Sequence, residues 1–290
     1  MSAQQRVWLI TGTTSGIGEN IALEALARGD LVVASSRNPS RLTKLTKAGA
    51  NAVKIDQNQD DATIRREVEA ALAVYGRIDI LVNNAAYVHT GTFEETTDEE
   101  IKRQFQSNVF GPTSIIRALL PHMRSRRSGV IANVGSMASW FPVPACNLYD
   151  ASKAALRLIS DGLDSELARF GIKTTTIEPG MFRTELLDPH ANFIKTSEDK
   201  RIEDYREMNE TTDALFRDAH GKQLGNPKKG AEVIYEVLTQ TGVAQGREVP
   251  LVLALGSDAV STIQKFARDQ ADLVESWREV SSSTDFPQGK

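Results

Sequence analysis

Apolar residues along the chain fall into short unbroken runs, separated by longer stretches in which they recur at helical spacing. The runs at 7–10 (VWLI), 31–34, 52–55, 78–82, 129–134 and 173–177 are predicted strands. Between them lie a helix carrying Ile21, Leu23, Ala25 and Leu26, and an amphipathic helix over 60–75 closed by Gly76. A long helix over 98–124 follows, capped by Asp98, with Ile101, Phe105, Val109, Ile115, Ile116 and Leu119 at periodic positions and a kink near Gly111-Pro112. The segment NLYDASKAALRLISDGLDSEL, from Asn147, carries the helix expected over 148–170. Strands alternating with helices predict an α/β fold, a parallel sheet with helices on both faces. No repeat or low-complexity linker interrupts it, so 1–290 reads as a single domain.

Two segments stand apart from this alternation. Residues 181–225 form a long, charge-rich connection whose periodic Ile202, Tyr205, Met208, Leu215 and Phe216 predict helices with a thin apolar face. A mobile lid over an apolar pocket is the functional reading, and a surface hairpin of helices the plainer one. The tail, 257–290, is expected to be helical, with Val260, Ile263, Phe266, Leu273, Val274 and Trp277 near one face. A helix covering the core is its simplest role; covering the substrate pocket or packing on a partner subunit are the others.

Composition narrows the function classes. The net charge of −4 comes from mixed residues without a basic stripe, so no nucleic-acid partner is expected. The single cysteine, Cys146, excludes an intramolecular disulfide and fits a reducing compartment. No stretch approaches the ~18 apolar residues of a membrane span. MSAQQRVWLI lacks the apolar core of a signal peptide, and DFPQGK carries no lipidation or retention signal. A cytoplasmic protein is expected, in which the sequon Asn209-Glu210-Thr211 is a chance match. His89, His122, His190 and His220 lack ligand spacing, so no metal is expected.

Several places carry candidate chemistry. Thr11-Gly12-Thr13-Thr14-Ser15-Gly16-Ile17-Gly18 lies between a strand and a helix, where glycines let the backbone approach a phosphate and the helix N-terminus offers free N–H groups. The second strand ends in Ser35-Ser36-Arg37, with an arginine and no carboxylate to meet an adenosine ribose, which favours NADP(H) over NAD(H). Asp56, at the third strand's end, suits an adenine amino group, and Asn83-Asn84-Ala85-Ala86 lets a cofactor pack against a central strand. Tyr149 and Lys153 lie four apart on one helix face. A phenol titrating near pH ~10 becomes a usable acid or base beside a cation. Ser136 follows a buried strand, where its hydroxyl suits a substrate oxygen, and Asn108 is a polar residue at the expected kink. Trp140, Phe141, Val143, Cys146, Met181 and Phe182 are expected to wall an apolar pocket, with Cys146 a packing residue rather than a nucleophile.

With these residues assembled, 6–255 resembles the short-chain dehydrogenase/reductase family. Thr11-Gly12-x-x-x-Gly16-Ile17-Gly18 is similar to its cofactor fingerprint, and Asn83-Asn84-Ala85 to its strand-end motif. Asn108, Ser136, Tyr149 and Lys153 fall where its catalytic tetrad belongs, and Pro179-Gly180 with Thr184 where a segment closes on the nicotinamide. The resemblance implies a Rossmann-type doubly wound sheet of about seven strands, order 3-2-1-4-5-6-7. It implies hydride transfer, with Tyr149 as acid or base and Lys153 lowering its pKa and holding the ribose. Ser136 would polarise the carbonyl, and Asn108 would support a water relay. Thr11, Gly12, Ser15, Gly16, Ile17, Gly18, Arg37, Asp56, Asn83, Ala85, Pro179, Gly180, Phe182 and Thr184 would hold the cofactor with Tyr149 and Lys153. Two departures bear on this: Ala86 replaces the glycine that usually ends the asparagine motif, and Ser15 stands where many NADP-preferring members carry a basic residue. The LGSDA and STDFP segments resemble tails on bacterial and fungal members of the family, carbonyl reductases and members similar to retinol and hydroxysteroid dehydrogenases. A hydrophobic carbonyl or alcohol substrate and a homodimer or homotetramer are implied. An imine, enone or cyclisation chemistry, or a non-catalytic dinucleotide sensor, are the alternatives.

Overall fold

The computed structural model describes residues 5–187 and 193–286. The readings made for His190 and for the extreme chain ends lie outside the described residues. In chain order the strands are β1 (Val7–Ile10), β2 (Leu31–Ser36), β3 (Asn51–Lys54), β4 (Ile80–Asn83), β5 (Val88–Thr90), β6 (Gly129–Val134), β7 (Ile172–Pro179), β8 (Phe193–Lys195) and β9 (Val252–Leu255). The α-helices are α1 (Gly16–Ala27), α2 (Thr43–Lys47), α3 (Asp61–Ala73), α4 (Asp98–Phe105), α5 (Gly111–Arg126), α6 (Asn147–Leu167), α7 (Arg206–Ala219), α8 (Pro227–Thr239), α9 (Ser257–Ser276) and α10 (Arg278–Ser282). Seven strands make one parallel sheet in the order β3-β2-β1-β4-β6-β7-β9. This is the doubly wound order expected from the sequence, once the short pair β5 and β8 is set aside as its own two-stranded sheet.

Side chains alternate across each strand, and that alternation divides the core. Trp8 and Ile10 join Ile21 of α1 and Ile234 of α8 on one face; Val7 and Leu9 join Ile64 of α3 and Ile115 of α5 on the other. Both faces are covered, which is why the strands read as unbroken apolar runs. Trp8 is fully buried, and its indole N–H needs an acceptor. It donates to Asp30 Oδ2 at 2.9 Å, and the Tyr235 hydroxyl donates to the same oxygen at 3.0 Å, with the two rings stacked at 5.4 Å.

The helix expected over 98–124 is divided. Thr97 caps it, not Asp98: Thr97 Oγ1 accepts from Glu100 N at 3.3 Å while Glu100 Oε2 accepts from Thr97 N at 2.8 Å. That reciprocal pair satisfies two orphan donors, and Asp98, one residue inside, faces the positive end of the helix dipole. A π-turn over Gln106–Phe110 then joins α4 to α5. Pro112 sits in the first turn of α5, where it has no needed N–H to lose, so the irregularity is the widened turn rather than a proline kink.

The 181–225 segment holds a strand as well as helices. Phe216 of α7 meets Phe193 of β8 edge-on at 5.4 Å, yet Met208 and Leu215 are 44% and 55% exposed while the polar Asn209 and Thr212 are buried. The buried face is therefore not the thin apolar stripe read from the sequence. Glu95 decides it. This buried carboxylate accepts from Asn209 Nδ2 at 2.9 and 3.0 Å, from Ile202 N at 2.8 Å and from Thr92 N at 3.1 Å. A charge removed from water must find such donors, and α7 turns its polar side inward to supply them.

The tail departs from expectation too. α9 buries Ala259, but Leu273, Val274 and Trp277 are more than half exposed, so it covers the core only at its start.

Desolvation pushes the Glu95 carboxyl up, but the bonds from Ile202, Asn209 and Thr92 outweigh it and hold the group at about 2. Its contribution to stability is thus present above the ordinary value of 4.5 and lost as pH falls toward 2. Glu95→Gln should cost about 1–3 kcal/mol at neutral pH, and its melting curve should approach wild type across that acid window. Equal melting temperatures at neutral pH would dismiss Glu95 as the anchor.

Candidate active site

The C-terminal ends of the central strands open onto a cavity of about 760 Å³, the place where open α/β sheets hold ligands. From β1 the chain turns through Gly12 at φ +66. A Cβ there would lie 2.6 Å from Ala85 Cα, so the turn can rest against the end of β4 only as glycine. Hydrogen bonds fix that contact. Asn84 Nδ2 donates to Thr11 O at 2.9 Å and Gly12 O at 3.0 Å, and the N–H groups of Asn84 and Ala85 donate to Thr11 Oγ1 at 3.0 Å.

Three residues expected to hold a cofactor instead face the protein. The Thr11 hydroxyl is taken up by that tie, and Gly18 packs against Asn84, whose Nδ2 a Cβ would approach to 2.3 Å. Asn83 Nδ2 donates to Asn133 Oδ1 at 2.9 Å, and Asn133 Nδ2 to Ser160 Oγ at 2.8 Å, tying β4 to β6 and α6. They frame the site. Gly12, Ser15, Gly16, Ile17, Arg37, Asp56, Ala85, Pro179, Gly180, Phe182 and Thr184 line the cavity itself.

At its outer end, Arg37 is joined by Arg41, which sequence reading missed although it follows four residues on in the same turn. Ser36 Oγ and Gln57 Nε2 are buried there without a partner among the described residues. Two cations, an orphan hydroxyl and an orphan amide, with no carboxylate at the end of β2, fit a phosphate-bearing ligand. Asp56 lines the cavity but also serves as a turn former: its Oδ1 accepts from Asn58 N at 3.0 Å.

At the inner end, α6 brings Tyr149 and Lys153 to the sheet edge. Tyr149 forms cavity wall, whereas Lys153 lies behind it, 3% exposed, with Nζ 5.8 Å from the phenol ring centroid and donating to Val134 O at 2.7 Å. Asn108, in the π-turn, is likewise set back. Its Nδ2 donates to Tyr87 O at 3.2 Å and Ser152 Oγ at 3.1 Å, and Ser152 Oγ donates to Tyr149 O at 2.7 Å. Ser136, just past β6, is on the wall, and its hydroxyl accepts from Ala138 N at 3.1 Å. Burial raises the Tyr149 pKa, opposed by hydrogen bonding with Ser136. Burial lowers Lys153 to about 8, opposed by the field of Glu178. The lowering expected from Lys153 is not seen: only Ser136 opposes the rise, so the wall carries a protonated phenol with the Lys153 side chain behind it.

Phe141, Val143, Cys146, Met181 and Phe182 line the apolar side as expected, joined by Ile194, Leu215 and Phe216. Trp140 does not; its ring stacks beneath the Arg157 guanidinium at 4.2 Å. Burial raises the Cys146 thiol far above its usual value, so it is inert packing. Among the described residues no helix is long and apolar enough to cross a membrane.

Sheet order and cavity together define a doubly wound protein of the dinucleotide-binding class. The chain belongs to the short chain dehydrogenase family, whose model matches residues 6–193. It is 32% identical over 280 residues to oxidoreductase BOA17 of Botryotinia fuckeliana, covering 95% of this chain and 98% of the relative. A short-chain dehydrogenase structure from Streptomyces avermitilis superposes with a TM-score of 0.87 at 37% identity, covering 98% of this chain and all of the other. The 3-ketoacyl-(acyl-carrier-protein) reductase of Brucella melitensis, complexed with NADH, superposes at 0.69 with 28% identity over 86% and 95% of the two chains. Family neighbours include NADH and NADP complexes alike, and the chain is an oxidoreductase of this family.

Gly12→Ala should weaken both NADPH and NADH by roughly 5- to 150-fold, since strain of about 1–3 kcal/mol falls on the turn at the cavity's edge. Fluorescence titration reads the loss, and unchanged affinity for both would show that the turn does not bear on the dinucleotide.

Proposed function

We propose that this chain is an NADP(H)-dependent oxidoreductase acting on a carbonyl, or the matching alcohol, of a fairly hydrophobic small molecule. The observation that carries the reading is the shared cavity: Tyr149 and Ser136 on its inner wall, apolar side chains beside them, and Arg37, Arg41 and Ser36 at its outer end. The cationic end suits the 2′-phosphate that distinguishes NADP(H) from NAD(H). A bound nicotinamide would supply the hydride acceptor or donor for the carbinol or carbonyl carbon.

In reduction, the Tyr149 hydroxyl donates its proton to the carbonyl oxygen while the Ser136 hydroxyl donates a hydrogen bond to that oxygen. Lys153, behind the ring, would stabilise the phenolate left behind and would hold the ribose hydroxyls. Asn108, braced between Tyr87 and Ser152, keeps the π-turn against α6 and supports the relay that returns a proton to Tyr149. Oxidation runs the same proton path in reverse. The apolar wall excludes water and selects bulk over polarity, with 181–225 serving as its lid.

Two measurements test this. Tyr149→Phe should lower turnover of NADPH with a panel of ketones and aldehydes by roughly a hundredfold or more while NADPH still binds; retained turnover would refute Tyr149 as the acid, and binding without turnover in wild type would favour a sensor. Arg37→Ala and Arg41→Ala should each cost roughly tenfold in NADPH affinity and leave NADH unchanged. An unaltered NADPH-to-NADH ratio in both would remove the 2′-phosphate assignment.

A further inference from the structure

Glu178 is the penultimate residue of β7, followed by Pro179 and Gly180, and is fully buried. A carboxylate taken wholly from water persists where other groups compensate it, and here they are specific. Its Oε2 accepts from the Ser136 N–H at 2.7 Å and from Ser139 Oγ at 2.8 Å. Its Oε1 has no hydrogen-bond partner among the described residues. A Cβ on Gly135 would lie 2.7 Å from both oxygens, so the carboxylate is seated against the backbone between β6 and Ser136. Nothing in the proton path described above uses it.

We propose that Glu178 is a positioning residue for the reaction: from behind, it clamps the backbone that presents Ser136 and supplies the negative charge that faces Lys153. The clamp is direct, through the Ser136 N–H. The charge acts on α6, where the titratable and charged groups facing Glu178 are Lys153, Arg157 and Tyr149. β9 sets Ala254 opposite it, and Asp258, at the start of α9, is turned instead to Gly180 and to Met181 N, which it accepts at 2.7 Å. Burial raises the Glu178 carboxyl to about 7, opposed by Ser139, Ser136, Lys153 and Arg157, and Lys153 sits at about 8. Above neutrality the anion therefore favours the ammonium form of Lys153. Removing it lowers the Lys153 pKa, and by relieving like charge it lowers that of Tyr149, so both effects bring forward the alkaline loss of proton donation. This rests on the acid–base role proposed for Tyr149.

Glu178→Gln keeps an oxygen for Ser136 and Ser139 and removes only the charge. Its first readout needs no substrate: NMR titration of isotope-labelled lysine, with Lys153→Arg to assign the resonance. The Lys153 midpoint should fall by roughly one pH unit, and the alkaline limb of carbonyl reduction should shift the same way, with kcat reduced about tenfold at its upper end. Ser139→Ala, which takes one hydrogen bond from the same carboxylate, should move the midpoint in the same direction by less, and decides the matter if Glu178→Gln does not fold. Midpoints unmoved in the variants that fold overturn the proposal. Turnover retained in Tyr149→Phe refutes the acid–base reading instead; an inactive Tyr149→Phe with a Lys153 midpoint unmoved by the Glu178 and Ser139 changes refutes Glu178 alone.

Discussion

An ammonium group with almost no access to water is the constraint around which this structure is arranged. Lys153 must be compensated by acceptors that α6 cannot provide from its own ladder. The end of β6 provides one, the carbonyl of Val134, which accepts from Nζ at 2.7 Å. The end of β7 provides the other influence, the buried carboxylate of Glu178. Three elements distant in sequence are thereby held in one geometry. Because residues four apart share a helix face, fixing Lys153 also fixes the Tyr149 phenol at the cavity wall.

The rest of the frame serves the same end by simple means. A parallel sheet covered on both faces presents its strand ends together, and those ends carry unpaired backbone groups. Here asparagines do the joining: Asn84 stitches β4 to the glycine turn, and Asn83 with Asn133 stitches β4 to β6. Asn108 does so from a π-turn, where the widened helix points its amide at Tyr87 and Ser152. The glycine turn could not lie so close to Ala85 with any side chain at Gly12. Rigid backbone thus surrounds the parts where a phosphate and a reacting oxygen would sit.

The 181–225 segment is held differently. β8 pairs with β5, and α7 is anchored by one buried carboxylate, Glu95, drawing donors from Thr92, Ile202 and Asn209. A polar anchor of this kind is directional where apolar packing is not, so it sets the orientation of α7 while Leu215 and Phe216 remain available to the cavity.

The amino-acid sequence determined the sheet, its order through the family likeness, the glycine turn, and the four-residue spacing of Tyr149 and Lys153. Those features are local: periodicity, turn chemistry and helix geometry act between near neighbours and leave a pattern in the chain. The pairing of β5 with β8 left no such pattern, because each is a three-residue run and the two lie far apart in sequence. Neither did Arg41, Glu95 and Glu178 declare themselves, since a charged residue reads as solvated until its neighbours are known. Trp140 and the far half of α9 show the converse error, apolar side chains assigned to a pocket and a core that they do not enter. Whether a carboxylate faces water or an N–H, and whether a ring meets a cavity or a guanidinium, depends on contacts between distant segments. Only the tertiary structure decides those, because desolvation is a property of a place in the fold and not of a residue type.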